Sequence, residues 1–140
     1  ATPIHRRSFN PVDKNMPTFT WLSEQKRIGW MGEKLAALYL TGIGLEIVEM
    51  NRNCPPHGEI DIIAKNGNEI VFVEVKTAFK TNPDSLDEKV DKNKLKKISH
   101  AIYQYQKETE QIDDFRIDCI SVILQNKKPI IKHFEGILLE

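Results

Sequence analysis

Among the charged side chains of residues 58–76, a segment with two apolar runs, two acids and a lysine are predicted to lie together. They are Asp61, Glu74 and Lys76. Burying a charged group costs free energy unless the group is paired or holds a metal ion. Carboxylate oxygens are suitable ligands for Mg²⁺ or Mn²⁺, and a bound divalent cation can generate a nucleophilic water. These residue types therefore favour metal-dependent cleavage of phosphodiester bonds.

The strands that position these charges are predicted from alternation on both sides of the turn dipeptide Asn66-Gly67. With a two-residue loop, Lys65 lies opposite Asn68, and Asp61 and Glu74 become diagonal neighbours. Alternation places two sets of side chains on opposite faces. One face carries Ile60, Ile62, Ala64, Glu69, Val71, Val73 and Val75; the other carries Glu59, Asp61, Ile63, Ile70, Phe72, Glu74 and Lys76. The charged residues thus meet at the end of the hairpin away from its turn.

The first helix is predicted to present one more acid to the same sheet. A stripe with helical spacing contains Gly29, Gly32, Glu33, Ala36, Ala37 and Leu40. Small residues on this stripe permit close approach to a sheet, and Glu33 is its one charged member. Glu33 is therefore expected to join the metal shell, although a glutamate on a helix is more often only a surface residue.

These residues also form motifs that resemble a known family. Asp61, a hairpin and then Glu74-Val75-Lys76 resemble the PD-(D/E)XK nuclease motif. The wider set resembles the uncharacterised bacterial YraN-type family, which is related to archaeal Holliday junction resolvases, over roughly residues 27–125. Its motifs are Gly29-x-x-Gly32-Glu33, Asn51-Arg52, Gly58-Glu59-Ile60-Asp61, Phe72-Val73-Glu74-Val75-Lys76, Val90 with Lys94, and Arg116-x-Asp118.

The resemblance implies a role for each matching residue. Asp61 and Glu74 are expected to bind Mg²⁺ or Mn²⁺, with the carbonyl of Val75 as a further ligand. Lys76 matches the catalytic lysine, and Glu33 matches an accessory acid. The related resolvases work as dimers, so a homodimer is also implied.

Two departures from the family pattern affect this expectation. Ile60 stands where the nuclease motif has proline, which nucleases of this class tolerate. Ala78 stands where family members often carry arginine, two residues after the lysine. If that arginine contacts phosphate, Lys80 is the residue expected to replace it.

Other charged residues allow two interpretations each. Lys94 lies at the edge of an apolar helical stripe, where it either contacts phosphate or extends along the apolar surface into water. Arg52, in the predicted loop before the hairpin, is also a candidate for contacting nucleic acid. Glu59 either supports the metal shell or points to solvent. Arg116 and Asp118 share a strand face and are expected to pair with each other.

The predicted order of elements is α-β-β-β-α-β-β. It indicates an α/β fold with a restriction-endonuclease-like mixed central sheet flanked by helices. Residues 1–22 are expected to form an irregular N-terminal arm, and residues 23–140 a single nuclease-like domain. The elements are helices over 23–40 and 86–108, strands over 45–50, 115–124 and within 129–138, the hairpin, and a polar loop over 77–85.

Composition limits the classes of function. Lys plus Arg and Asp plus Glu each total 20, so the net charge of the 140 residues is zero with neutral histidines. Binding of nucleic acid must then depend on a local basic patch. Cys54 and Cys119 are far apart and form no CxxC pair, which favours a reduced cytoplasmic setting. No apolar stretch approaches the ~20 residues that a membrane span needs.

Three hypotheses follow from the sequence. The first is a Mg²⁺- or Mn²⁺-dependent endonuclease acting on DNA, with branched or repair intermediates as candidate substrates. The second is a catalytically silent nucleic-acid-binding domain that retains the nuclease fold, which the neutral charge and Ala78 favour. The third is a structural protein whose charged hairpin end only forms salt bridges.

Overall fold

A computed structural model of the chain describes the backbone of residues 5–8 and all atoms of residues 24–79, 92–111 and 114–137. Two helices and a six-stranded sheet in the order β1-β6-β5-β4-β3-β2 make up the described part. The elements are β1 (His5–Ser8), α1 (Glu24–Gly42), β2 (Glu46–Asn53), β3 (Glu59–Asn66), β4 (Glu69–Phe79), α2 (Lys92–Thr109), β5 (Phe115–Leu124) and β6 (Ile130–Phe134). Strands β4 and β5 are parallel and all other pairs are antiparallel. The predicted α/β class with a mixed sheet is therefore confirmed.

Each helix covers its own apolar cluster on the sheet, because alternate side chains of the hairpin point to opposite faces. The cluster under α1 takes Ile62, Ala64, Val71 and Val73 from the hairpin, and the cluster under α2 takes Ile60, Ile63, Ile70 and Phe72. The predicted helical stripes are also buried as expected, with Ala36 and Leu40 of α1 and Ala101 of α2 at 0% exposure. In the described part of the chain, no helix is long and apolar enough to cross a lipid bilayer.

The hairpin register differs from the prediction by two residues. Lys65 pairs with Ile70 instead of Asn68, and the turn consists of Gly67-Asn68. Gly67 has a φ of 64°, a left-handed conformation that glycine adopts without a steric penalty and that hairpin turns require. Because a shift of two residues leaves every side chain on its own face, the face assignment survives with one exception.

The exception is Ile60, whose predicted face was wrong. It packs under α2 with Ile63, although strict alternation puts it beside Ile62 under α1. The ladder between β3 and β4 ends at Ile62, and Asn51 on the other side of β3 has a φ of 53°. The start of β3 is not paired with β4 and lies next to this kink. Ile60 therefore does not keep the alternation of the rest of the strand.

Several boundaries also differ from the predicted ones. Residues 51–53 belong to β2 and residues 77–79 to β4, because pairing with β3 and β5 continues there and satisfies the backbone. Within the predicted arm of residues 1–22, β1 pairs with β6 at the edge of the sheet. The predicted start of the second helix, residues 86–91, lies outside the described residues.

Gly32 brings α1 unusually close to the strand that carries the predicted site. A Cβ atom built at Gly32 meets Oγ1 of Thr77 at 1.7 Å and Cβ of Thr77 at 2.7 Å. Both distances are far shorter than any real contact, so only glycine fits. A Cβ at Gly29, one turn earlier, has no heavy atom within 4 Å. The contact between Gly32 and Thr77 therefore sets how near α1 lies to β4.

We expect Gly32→Ala to destabilise the protein by about 1–3 kcal/mol, the cost typical of forcing extra atoms into a packed contact. Gly29→Ala is the matched control. It should be neutral or stabilising by up to ~1 kcal/mol, because alanine favours the helix. Urea unfolding followed by circular dichroism measures both changes. Equal stabilities for the two variants would contradict the close approach.

Candidate functional site

The predicted acids Asp61 and Glu74 lie where strands β3 and β4 separate. The last pair of the ladder is Ile62 with Val73, and Asp61 and Glu74 are the next residue on each strand. The backbone amide of Val75 donates a hydrogen bond to Oδ2 of Asp61 at 2.9 Å. The prediction that Asp61 and Glu74 are diagonal neighbours was wrong. The register differs by two residues, so the two acids lie directly across from each other.

A cleft of about 650 Å³ opens at this point, between the first halves of α1 and α2. Acidic and basic side chains share its walls with apolar ones. Its lining includes the carboxylates of Glu33, Glu59, Asp61 and Glu74, the lysines Lys94 and Lys97, and the hairpin residues Val75, Thr77, Ala78 and Phe79. The helix stripe and the hairpin register, two separate predictions, thus lead to one cavity.

The acids of the cleft oppose one another's ionisation. Burial raises the pKa of Asp61 most, and the negative charges of Glu74 and Glu33 raise it further, while the Val75 amide partly offsets them. Burial likewise raises the pKa of Glu33, with smaller effects from Glu59 and Glu74. The cleft therefore favours either a retained proton or a bound cation.

Asn51 orients Glu33 within this cleft. Its Nδ2 donates a hydrogen bond to Oε2 of Glu33 at 2.9 Å, which lowers the pKa of Glu33 against the effect of burial. The left-handed backbone of Asn51 lies at the same kink that separates the strands. Asparagine tolerates this conformation better than most residues.

Lys94 forms an ion pair with the most buried of these acids. Its Nζ lies 2.5 Å from Oε1 of Glu74, and the two side chains are 50% and 6% exposed. Burial acts to lower the pKa of Lys94, but the hydrogen bond and charge of Glu74, with the charge of Asp61, make the net shift upward. Lys94 thus reaches from the surface to the acid pair.

Lys76 and Val75 follow Glu74 on β4. Val75 lines the cleft, whereas the described lining does not include Lys76. The charge of Lys76 nevertheless acts on the thiol of Cys119 together with those of Glu74, Lys94 and Asp61. Burial is the main cause that raises the pKa of this thiol to about 11, so Cys119 is a protonated core residue.

Arg52, another predicted nucleic-acid contact, is not among the residues that line the cleft. Arg52 bonds to Glu49 at 3.1 Å and to Glu108 at 2.7 Å, and its guanidinium lies 5.2 Å from the ring centre of Tyr105. These contacts join β2 to α2. Lys80 lies outside the described residues.

A buried polar network, which the sequence revealed only in part, joins α1 to β5 and β6. The expected pair forms, with Nε of Arg116 donating to Oδ1 of Asp118 at 3.1 Å. Oδ2 of Asp118 lies 2.7 Å from Nε2 of His133, and Nδ1 of His133 lies 3.0 Å from the hydroxyl of Tyr39. Asp118 and His133 are wholly buried. A histidine in the apolar strand β6 was the available signal for this network.

Asp118, His133 and Glu135 also offer ligand atoms within 4.8 Å of one another, close enough to hold a metal ion. Both ring nitrogens of His133 already have hydrogen-bond partners, and the backbone amide of Gly136 donates to Oδ1 of Asp118. Arg116, next to both carboxylates, supplies positive charge. Asp118 and His133 of this group thus already have protein partners at their ligand atoms.

Three cleft residues were missed or undervalued in the sequence. Lys97 is one of several lysines near the start of α2, and its spacing of three from Lys94 puts both on one helix face. Thr77 was assigned to a loop. His57 lines the cleft and stacks on His100, with ring centres 5.1 Å apart. A histidine next to the Gly58-Glu59 turn into β3 gave no distinguishing pattern.

Comparison with known proteins identifies the family. Residues 32–122, which include both acids and the ion pair to Lys94, match the profile of the uncharacterised protein family UPF0102. The chain belongs to the UPF0102 family. This confirms the predicted YraN-type membership, and the family match spans α1 to β5.

Relatives in the UPF0102 family match most of the chain. A UPF0102 protein of Caldanaerobacter subterraneus subsp. tengcongensis is 40% identical over 116 residues, which are 81% of this chain and 93% of the relative. One from Herpetosiphon aurantiacus is 30% identical over 122 residues, which are 84% of this chain and 98% of the relative. One from Clostridium botulinum is 43% identical over 101 residues, 71% and 81% of the two chains.

The raised pKa of Asp61 predicts that Asp61→Asn stabilises the metal-free protein. The folded state holds the proton of Asp61 more tightly than the unfolded state, so wild-type stability falls as pH rises from 3.8 through the raised pKa. Each unit of that shift corresponds to about 1.4 kcal/mol. Asparagine is neutral and can still accept the Val75 hydrogen bond. Its advantage should therefore be largest near pH 8 and vanish near pH 4.

Urea unfolding in a chelator at several pH values measures this difference. The exposed Asp114→Asn is the matched control and should change stability by less than about 0.5 kcal/mol. An Asp61→Asn protein that is no more stable than the wild type at pH 8 contradicts the proposed repulsion.

The buried network predicts a large cost for Asp118→Asn. Losing this charge leaves Arg116 and His133 without their buried partner, which should destabilise the protein by about 3–5 kcal/mol. Glu135→Gln, which loses only a partly exposed contact of 3.6 Å, should cost under ~1 kcal/mol. Thermal unfolding with and without Zn²⁺ tests this interpretation. A Zn²⁺-dependent rise in melting temperature that Glu135→Gln removes would identify a metal centre instead.

Proposed function

We propose that the chain is a Mg²⁺- or Mn²⁺-dependent endonuclease that acts on DNA, with its active site in the cleft between α1 and α2. The observation that carries this proposal is the meeting of Asp61 and Glu74 where strands β3 and β4 separate. A lysine, Lys76, follows two residues after the second acid. This is the arrangement of a PD-(D/E)XK nuclease, and the mixed sheet with a helix on each face fits a restriction-endonuclease-like fold.

The donor atoms of the cleft are of the kind that a hard divalent cation binds. Asp61 and Glu74 would hold it, with Glu33 and the carbonyl of Val75 as further candidate ligands. All four offer oxygen, which Mg²⁺ and Mn²⁺ accept. The raised pKa values of Asp61 and Glu33 mark acids whose negative charge is not fully balanced by neighbouring protein groups. A cation would relieve this repulsion.

The proposed mechanism assigns separate tasks to the groups that line the cleft and to Lys76, which follows them on β4. A divalent cation would supply Lewis-acid charge and acidify water near the scissile phosphate. Lys76 orients the attacking water and stabilises the negative charge that develops on the phosphate. Asn51 keeps Glu33 turned toward the acids through its hydrogen bond. Lys94 and Lys97 are the candidates for contacts with the DNA backbone, beside the four carboxylates that share the lining of the cleft.

Substrate, assembly and location complete the proposal. Branched or repair intermediates of DNA are the proposed substrates and a homodimer the proposed assembly, both from the resemblance to resolvases. Free, buried Cys54 and Cys119 suit a reduced cytoplasmic setting.

A catalytically silent DNA-binding domain is the second candidate. Two observations favour it. Lys94 already pairs with Glu74, which reduces the need for a metal ion. Ala78 lines the cleft at the position where family members often carry arginine.

Cleavage assays separate the two candidates. With Mn²⁺, we expect the wild type to cut at least one of four labelled DNAs: single-stranded, duplex, flap or four-way junction. Glu74→Ala and Lys76→Ala should lower the rate by at least about 100-fold, the loss typical of removing one transition-state contact. Lys96→Ala, an exposed lysine of α2 outside the cleft lining, is the matched control and should retain wild-type activity.

The other outcomes point to different conclusions. Cleavage that survives both active-site substitutions indicates a contaminating nuclease. Binding of DNA without cleavage favours the silent domain. A metal titration tests the site itself, since Mn²⁺ at 100 times its Kd should add about 2.7 kcal/mol of stability. If Mn²⁺ gives no stabilisation and Asp61→Ala behaves like the wild type, only the salt-bridge hypothesis remains.

A further inference from the structure

Lys94 occupies a position that the proposed nuclease mechanism does not explain. A lysine that serves only to attract DNA gains nothing from an ion pair with a buried acid, because the pair cancels its charge. Yet Nζ of Lys94 lies 2.5 Å from Oε1 of Glu74, the acid with only 6% of its side chain exposed. The ammonium therefore lies against one of the two carboxylates proposed to bind the metal ion.

The charges around Lys94 are those that would attract a metal ion. Glu74 and Asp61 both act on its ammonium. A buried carboxylate needs a cationic partner or a proton. Without a metal ion, Lys94 supplies that partner for Glu74. A divalent cation bound by the same carboxylates would be repelled by an ammonium at this distance, so the two cations compete for Glu74.

The flexible side chain of Lys94 can move away from Glu74. Half of its side chain is exposed, and its unbranched stem carries a single mobile ammonium. Lys97 lines the same cleft one helical turn away and faces the same way. A lysine released from Glu74 would thus join Lys97 on the wall that a phosphate must approach.

We propose that Lys94 is an internal counter-ion of Glu74, that a divalent cation displaces it, and that the released ammonium then binds a phosphate of the DNA. This inference rests on the proposed function and adds a coupling between metal binding and DNA binding. Metal binding must break the ion pair between Lys94 and Glu74, and the released lysine can then contact a phosphate. The protein would hold DNA productively only once the metal is bound.

Metal affinity gives the first test. Mn²⁺ binding is measured by electron paramagnetic resonance on the wild type, Lys94→Met and Lys97→Met. Lys94→Met removes the competing charge and should tighten Mn²⁺ binding by about 5- to 20-fold, within the range typical of coupled sites. Lys97→Met removes a charge from the same cleft without breaking the pair to Glu74, and its Kd should stay within about twofold of the wild type. Lys94→Gln is the second variant if Lys94→Met does not fold.

DNA affinity gives the second test, with Ca²⁺ as a cation that allows binding without cleavage. Fluorescence anisotropy measures the Kd of a labelled duplex against KCl concentration. In Ca²⁺, the slope of log Kd against log salt should be smaller by about 1 for Lys94→Met than for the wild type, the value for one lost phosphate contact. In chelator the two slopes should agree, because Lys94 is then held by Glu74.

The outcomes distinguish this inference from the proposed function. If the wild type binds Mn²⁺ and Lys94→Met binds it equally or more weakly, the counter-ion role is wrong and the metal site stands. If slopes in Ca²⁺ do not differ, the released lysine does not contact phosphate and the coupling is wrong. If neither protein binds Mn²⁺ while both unfold cooperatively, the metal site fails, and the inference fails with it.

Discussion

The geometry of the cleft depends on one hydrogen bond, from the amide of Val75 to the carboxylate of Asp61. Strands β3 and β4 must separate to open a cavity between them, and separation removes ladder partners from backbone groups that cannot remain unbonded in a protein interior. Asp61 takes the place of the missing strand at Val75. The same side chain therefore both permits the opening and presents an acid to it, which ties the shape of the cleft to its charge.

Two anchors on α1 then fix the third acid relative to this opening. Near Glu33, the absence of a side chain at Gly32 lets the helix touch Thr77 of β4. Two turns further along, Tyr39 joins the buried network that runs through His133 to Asp118. A helix held at two points can neither slide nor rotate freely, so Glu33 stays over the strand ends even though its own ionisation is opposed there.

Features of the fold and the cleft that are set by neighbouring residues can be predicted from the sequence, and those set by contacts between distant residues cannot. Alternation and helical spacing are local, so they identified both helices, the hairpin faces and the acids that share the cleft. The register is not local: turns at Asn66-Gly67 and Gly67-Asn68 keep the same faces, and only packing selects between them. Glu108, which pairs with Arg52, and Glu74, which pairs with Lys94, lie far from their partners in the sequence, so no spacing rule identifies these pairs. The pairing of β1 with β6 spans nearly the whole chain.

Two aspartates, Asp118 and Asp61, differ in how well the protein neutralises them. Asp118 is wholly buried, yet a guanidinium, an imidazole and a backbone amide satisfy it. Asp61 has one backbone amide as a donor and two acidic neighbours, Glu74 and Glu33, and its pKa is raised. A fold that can neutralise a carboxylate as fully as Asp118 has no structural need to leave Asp61 in repulsion, beside a cleft open to solvent. Acids without a full set of neutralising partners in such a cleft are typical of functional sites, where activity is often gained at the expense of stability.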